Sequence, residues 1–483
     1  KTAPQDYPAV VADLSETLKN NPTAAGYIKR GMIYCELRKY DLAVADLNQA
    51  IELEPANAEA YYNRGVVYKT SGQFERAVAD YSKAISLNPD FAAAYVRRGF
   101  VYIEAGRTDQ ALEDNITAIR LNPADAIAYH NRGIIYDMRG QKEPALADFD
   151  KAISLNPQFA AAYFSRGNLY RTTGRSALAV QDYTRAVELD PRHSPAYEQR
   201  ALIYLSNRQF DLALADCNKT IELDPRNAVA YFYRGCIFQE QGKPAPAVTE
   251  LTTAIGLKAD RPDFYYLRGI CYGALPGHWE QALADFNQAI VLDPRHSDAF
   301  NGRGYIYMKM GDSDQALQNF SQAVEVNPRN AAAYMNRGKL FLLRGQWEQA
   351  RADFTAVIGI APWSGSGYYL RGAVYKSKGE LNNALTDFNR ALEREENCWP
   401  AYYERGLIYE GLGDYDRALA DYNRALALNR GYAEAYFHKG IVCVKLGRQD
   451  EAAGAFTNFL QYKQSGMPGT EIAERWLKEL GAK

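Results

Sequence analysis

Ala58-Glu59-Ala60-Tyr61-Tyr62-Asn63-Arg64-Gly65-Val66-Val67-Tyr68, then Ser71-Gly72-Gln73-Phe74, then Ala77-Val78-Ala79-Asp80-Tyr81 with Ala84 and a closing Asn88-Pro89, is the stretch that decides the architecture. Apolar or small residues recur three or four apart in both halves, the spacing of two amphipathic helices. Gly72 is placed to stop the first helix, and Pro89 to separate the second from the next pair.

On either side of this stretch, the small residue after an arginine returns at Gly31, Gly99, Gly133, Gly167, Ala201, Gly235, Gly269, Gly304, Gly338, Gly372, Gly406 and, after a lysine, Gly440. The step is 34 residues throughout except for one of 35, and the extra residue falls in the turn-forming Ala274-Leu275-Pro276-Gly277-His278, where it is expected to lengthen a loop and leave both helices unchanged. The chain thus holds thirteen copies, so its 483 residues form no single core and each copy depends on stacking against the next. Counting places Ala24 and Ala58 at position 1 of repeats one and two, and so on along the chain.

The pattern resembles the tetratricopeptide repeat family: an aromatic, a small residue and a second aromatic in the first helix, then Ala, aromatic, Ala and Pro. That resemblance implies an all-α fold, a right-handed superhelix or α-solenoid of antiparallel helix pairs. Residues 24–466 would hold the thirteen repeats. Residues 1–23 would supply a half-repeat or covering helix, from the likeness of 6–20 to a second helix through Ala9, Asp13 and Leu14. Residues 467–483 would supply a capping helix with Thr470 as its N-cap, a stripe of Ile472, Trp476, Leu477 and Leu480, and a terminating Gly481.

The 36 tyrosines are far above ordinary usage, and most occupy two slots, positions 4 and 11. There they are expected to fill the space around the close approach of the paired helices. The family commonly has leucine at position 7, where this chain has arginine in every repeat but the last. Sixteen or seventeen residues later stands an acid, replaced by Asn319 in repeat nine, as in Arg64 with Asp80, Arg132 with Asp148 and Arg371 with Asp387; the last repeat loses both, as Lys439 and Ala455. We read this as a recurrent, partly buried ion pair that fixes helix register. Removing one partner of such a pair costs about 3–5 kcal/mol.

The resemblance places ligand contacts on positions 2, 5, 6, 9 and 12 of the first helices. Position 5 carries Tyr62, Phe164, Phe232, Tyr266, Tyr369, Tyr403 and Phe437, which serve equally as partner anchors or as packing between neighbouring first helices. Asn63, Asn131 and Asn336 at position 6 could hold an extended backbone by paired donor and acceptor. No repeat has Lys at position 5, so the acidic tail of heat-shock chaperones is not an expected partner. The expected function is a protein-protein interaction scaffold taking a partner peptide in a concave groove. A structural subunit or homo-oligomer, and the substrate-recognition array of a truncated enzyme such as a glycosyltransferase, stay open as alternatives.

Charge and motifs narrow the field. With 56 Lys and Arg against 58 Asp and Glu, no broad field draws nucleic acid, and no apolar run is long enough for membrane insertion. Lys1-Thr2-Ala3-Pro4 lacks the apolar core of a signal peptide. The six cysteines show no metal spacing and suggest free thiols in a reducing, cytoplasmic compartment, with a Cys236–Cys271 disulfide left open. His193 and His296 lie in matching turns, implying a shared backbone need; neither they nor His130, His278 and His438 suggest a metal, cofactor or enzyme.

Overall fold

The computed structural model describes residues 7–464 and 467–481 and contains 28 helices and no strand within them. Lys1-Thr2-Ala3-Pro4, the Asp6 that opens the expected half-repeat, the array's expected end at 465–466 and residues 482–483 lie outside the described residues. The chain divides into two compact units, Lys1–Ile237 and Phe238–Lys483. The division falls inside the helix Ala228–Glu240, the first helix of repeat seven.

Within each unit the architecture is a stack of helix pairs. Repeat two is typical: the helix Ala58–Thr70 starts under an Asn57 cap whose side chain accepts from the Ala60 N–H, and a second helix runs Phe74–Leu87. The turn between them needs a left-handed residue, supplied by Gly72 at φ 79°. Arg38 and Arg208 take the same conformation at φ 58° in repeats one and six, where no glycine is available. The two helices of one repeat pack most extensively, and the second helix then packs on the next first helix. First helices of repeats one to five touch in succession in the first unit, as do those of eight to eleven, and twelve with thirteen, in the second. No successive second helices pack comparably among the described residues, so the first helices form the tighter, inner layer of each unit.

The small residue at position 8 sits against the position 24 side chain of the second helix. A Cβ on Gly65 would stand 2.7 Å from the Tyr81 ring, and one on Gly406 would be 2.7 Å from Tyr422. Ala201 replaces glycine in repeat six, where the facing residue is the smaller Cys217, and both are buried. This corrects the expected role of the first-helix tyrosines: the fully buried position 24 side chain fills the close contact, and positions 4 and 11 do something else. Their rings flank the position 7 guanidinium, as Tyr61 and Tyr68 do at 5.5 and 5.9 Å from Arg64.

That guanidinium makes the expected pair. Arg64 donates from Nε and Nη2 to Asp80, both at 2.8 Å; Arg132 does the same to Asp148, and Arg371 donates to Asp387 at 2.7 and 2.9 Å. The hydrogen bond to the carboxylate raises the pKa of all three arginines, with burial opposing it. Unforeseen was the third contact: Arg64 Nη1 donates to Asn48 of the preceding second helix at 2.6 Å, and Arg98 to Ser82 at 2.9 Å. One side chain therefore ties its own helix pair and the repeat before it. The helix Tyr7–Asn20 plays the preceding part for repeat one, its Ser15 hydroxyl accepting from Arg30 at 2.9 Å.

Two other expectations change. The first helix of repeat eight ends at Gly273 and is 12 residues long, one short of its neighbours, where Pro276 disfavours a helical conformation at the residue before it. At the other end, Thr470 is the first helical residue of Thr470–Glu479 and not its cap; Gly469 holds that place at φ 89°. Ile472 points outward, 41% exposed, and buried Ala473 takes its place beside Trp476, Leu477 and Leu480 against the last repeat. Gly481 is left-handed as expected, at φ 69°. Cys35, Cys271, Cys398 and Cys443 are free thiols, so the disulfide left open between Cys271 and Cys236 is not formed.

Candidate functional site

The inner layer obeys contact rules that a single repeat does not reveal. A position 5 side chain packs on the position 24 ring of its own repeat and on position 34. Tyr62 lies 5.9 Å from Tyr81 and 4.9 Å from Phe91, Phe164 lies 5.9 Å from Tyr183 and 4.7 Å from His193, and Tyr266 lies 6.1 Å from Phe286 and 5.0 Å from His296. Tyr369 meets Phe388 at 6.2 Å, Phe437 meets Phe456 at 6.3 Å, and Phe232 lies 6.0 Å from Tyr233. Tyr403 goes furthest inside and is buried between Tyr422 and Tyr432. The rings at these positions thus carry packing, and what they offer a partner is the edge left uncovered.

His193 and His296 answer the shared backbone need read from their turns. Each imidazole Nδ1 accepts from a helix N–H, Ala196 and Ala299 at 3.2 Å, so histidine stands in for the usual cap while its ring covers a position 5 aromatic.

Polar contacts obey two further offsets. Position 5 reaches position 6 of the next repeat: His130 Nε2 meets Ser165 Oγ at 2.9 Å, and Asn336 Nδ2 donates to Asn301 Oδ1 at 3.0 Å. Position 12 also reaches position 6 of the next repeat: Lys376 pairs with Glu404 at 2.6 Å, and Glu410 accepts from His438 at 3.0 Å while also accepting from the Tyr422 hydroxyl at 2.6 Å. Burial works against the Glu410 charge, but these two donors hold its carboxyl below the usual range. His130 is the opposite case, buried away from any acid, and its pKa is pushed down to about 4. Burial pushes the Tyr266 hydroxyl up to about 12, with Asp298 adding to it.

The three asparagines are not equivalent. Asn63 and Asn131 are buried, the first donating back to the Glu59 carbonyl at 2.9 Å and the second with no partner for Nδ2 among the described residues. Asn336 is only half-buried and lines a cavity of about 320 Å³ with Tyr266, Asn301 and Tyr305. Asn63 and Asn131, being buried, are therefore less placed than Asn336 to hold a partner's backbone. Offsets of 35 and 28 residues are the sequence signals that would have found the polar contacts between repeats, and comparison at 34 hides them.

No helix among the described residues is long and apolar enough to cross a membrane, and no three His, Cys, Asp or Glu side chains among them are placed to hold a metal ion.

Among known families, residues 31–72 match a model described as TPR repeat, and residues 58–91, 81–113, 126–159, 149–181, 303–364, 366–398 and 399–432 match models described as tetratricopeptide repeat. Together they cover more than half of the chain. Residues 169–309 match the ETO1 C-terminal domain model. No curated protein matches the sequence. Among solved structures, the APC/C hetero-tetramer Cut9-Hcn1 is 16% identical with a TM-score of 0.44 over 93% of this chain and 95% of that one. YrrB, described as a TPR protein with an unusual peptide-binding site, is 25% identical with a TM-score of 0.34 over 38% of this chain and 95% of its own. MamA is 24% identical with a TM-score of 0.31 over 33% and 93%.

Proposed function

The chain is a member of the tetratricopeptide repeat family, whose repeats serve as protein-interaction scaffolds, and from this premise we propose that it takes an extended segment of a partner protein along its first-helix layer. One observation carries the reading: what the repeats share is structural, and what they vary faces inward. Positions 7 and 23 hold the same Arg and acid almost throughout, tied in the clamp, whereas position 6 runs through Asn, Arg, Ser, Gln, Tyr, Leu, Gly, Glu and His. A surface rebuilt in every repeat on a fixed frame suits recognition of a sequence.

The contacts would come from the uncovered edges of Tyr62, Phe164, Phe232, Tyr266, Tyr369 and Phe437, with Tyr403 contributing least because it is buried. Asn336 is favoured over the sheltered Asn63 and Asn131. The test is a peptide selected by display of a random library on the full chain. Alanine at Gln199, Tyr305, Asn336 and Glu404, all on first helices and none buried, is expected to weaken that peptide at least tenfold at one or more positions. Alanine at Gln181, exposed on a second helix, is expected to leave it unchanged. The reverse pattern would reject the reading.

A further inference from the structure

Three departures from the repeat coincide at one place in the second unit. Repeat eight has the only 35-residue step and a first helix cut short at Gly273. Gly273 is position 12 of repeat eight and Gly302 is position 6 of repeat nine. These are the positions that meet elsewhere as Lys376 with Glu404 and Glu410 with His438. Here alone both side chains are missing. Asn301, in turn, puts a carboxamide at position 5 where most repeats carry a ring.

The result is the cavity of about 320 Å³, within the range of about 300–1,000 Å³ that holds small ligands. Its walls are the rings of Tyr266 and Phe286 and the side chains of Ile270 and Ile306. Phe286 comes so close to the backbone that a Cβ on Gly302 would lie 2.7 Å from it, and one on Gly273 would lie 2.9 Å from Ile306. Two carboxamides form the polar side. Because Asn336 Nδ2 is given to Asn301 Oδ1, the pair retains a donor at Asn301 Nδ2 and an acceptor at Asn336 Oδ1. Tyr305, 40% exposed, stands at the rim.

We infer that this cavity is a side-chain pocket that takes one leucine- or phenylalanine-sized residue of a partner peptide, its peptide group held by Asn301 and Asn336. The match is of size and of chemistry. The walls are uncharged and apolar, and a donor set beside an acceptor is what a peptide N–H and C=O require. The inference rests on the first-helix layer being the binding face and adds which residue class enters it and where.

The probe is N-acetyl-phenylalaninamide, titrated into the full chain with its isoleucine methyl groups labelled for NMR. The δ1 methyls of Ile270 and Ile306 are expected to shift saturably, with a Kd on the order of a few millimolar for a ligand of this size. N-acetyl-lysinamide is expected to leave them in place. Asn336→Leu should raise the Kd threefold or more, and Gly273→Ala should do so as well by pushing Ile306 into the space; circular dichroism checks that both variants stay helical. Silent methyls, an equal response to the lysine amide, or wild-type affinity in Asn336→Leu would overturn the pocket. If a display-selected peptide still depends on Gln199 or Glu404 while Ile270 and Ile306 stay silent, the pocket alone falls. Dependence on second-helix positions only would remove the binding face and the pocket together.

Discussion

Where repeat four meets repeat five, His130 reaches Ser165 and its ring is boxed in by Phe149 at 5.8 Å and Phe159 at 4.9 Å, so the inner wall is closed. Where repeat eight meets nine, the corresponding wall has two glycines and an asparagine, and a cavity remains. The clamp behind the two walls is nearly the same. Arg132 and Arg166 are bidentate to Asp148 and Asp182, and Arg268 is bidentate to Asp285; only Arg303 meets a neutral Asn319, through Nε at 2.7 Å. Burial accordingly lowers the Arg303 pKa, where the other three are raised. Register is therefore set on the clamp side, leaving the inner wall free to be closed in one place and open in another.

Substitutions in the clamp should separate the two sites most severely. Asp148→Ala should cost about 3–5 kcal/mol by stranding Arg132, whereas Asn319→Ala, which removes one bond to a charged group, should cost about 1.5–3 kcal/mol. Hydrogen exchange resolved by repeat is the measurement, since an array of stacked units need not unfold in one step. Equal losses would mean the carboxylate adds nothing beyond the amide.

Acidification should act on the closed wall through His130. His130 is neutral in the folded chain, with a pKa near 4 against the ordinary 6.5, so the unfolded state binds the extra proton between these values. Its contribution is complete above the unfolded pKa and is lost as pH falls toward 4, up to about 3 kcal/mol. Protection in residues 126–172 should therefore drop between pH 6.5 and 4, and His130→Phe should remove that dependence. An unchanged pH profile in the variant would show that His130 is not the titrating group. Smaller still, Ser165→Ala should cost about 1–2 kcal/mol in the same repeats, by leaving His130 Nε2 buried without its partner.

Much of this frame could be read from the residues, because the features that set it recur in nearly every repeat. Arg64 and Asp80 announce their pairing by a fixed offset, and Gly72 announces the left-handed turn. The Asn48 acceptor for Arg64 was less legible, since Ser, Thr, Asn and Asp share that slot and Ile116 interrupts it. The inner face was hardest to read. Tyr403 and Asn131 have the composition of surface contacts, yet both are buried, Tyr403 between Tyr422 of its own second helix and Tyr432 of the turn that follows. Burial between repeats depends on the pairing of unlike residues at offsets that internal periodicity does not display.

Recognition on the first-helix layer, with a constant clamp behind it, is put to the sharpest test by placing a photo-crosslinking phenylalanine analogue at Tyr305 and, separately, at Gln181 in the full chain with a display-selected peptide bound. Crosslinked peptide is expected from Tyr305 and none from Gln181. Crosslinking from Gln181 with Tyr305 silent would contradict recognition on that layer.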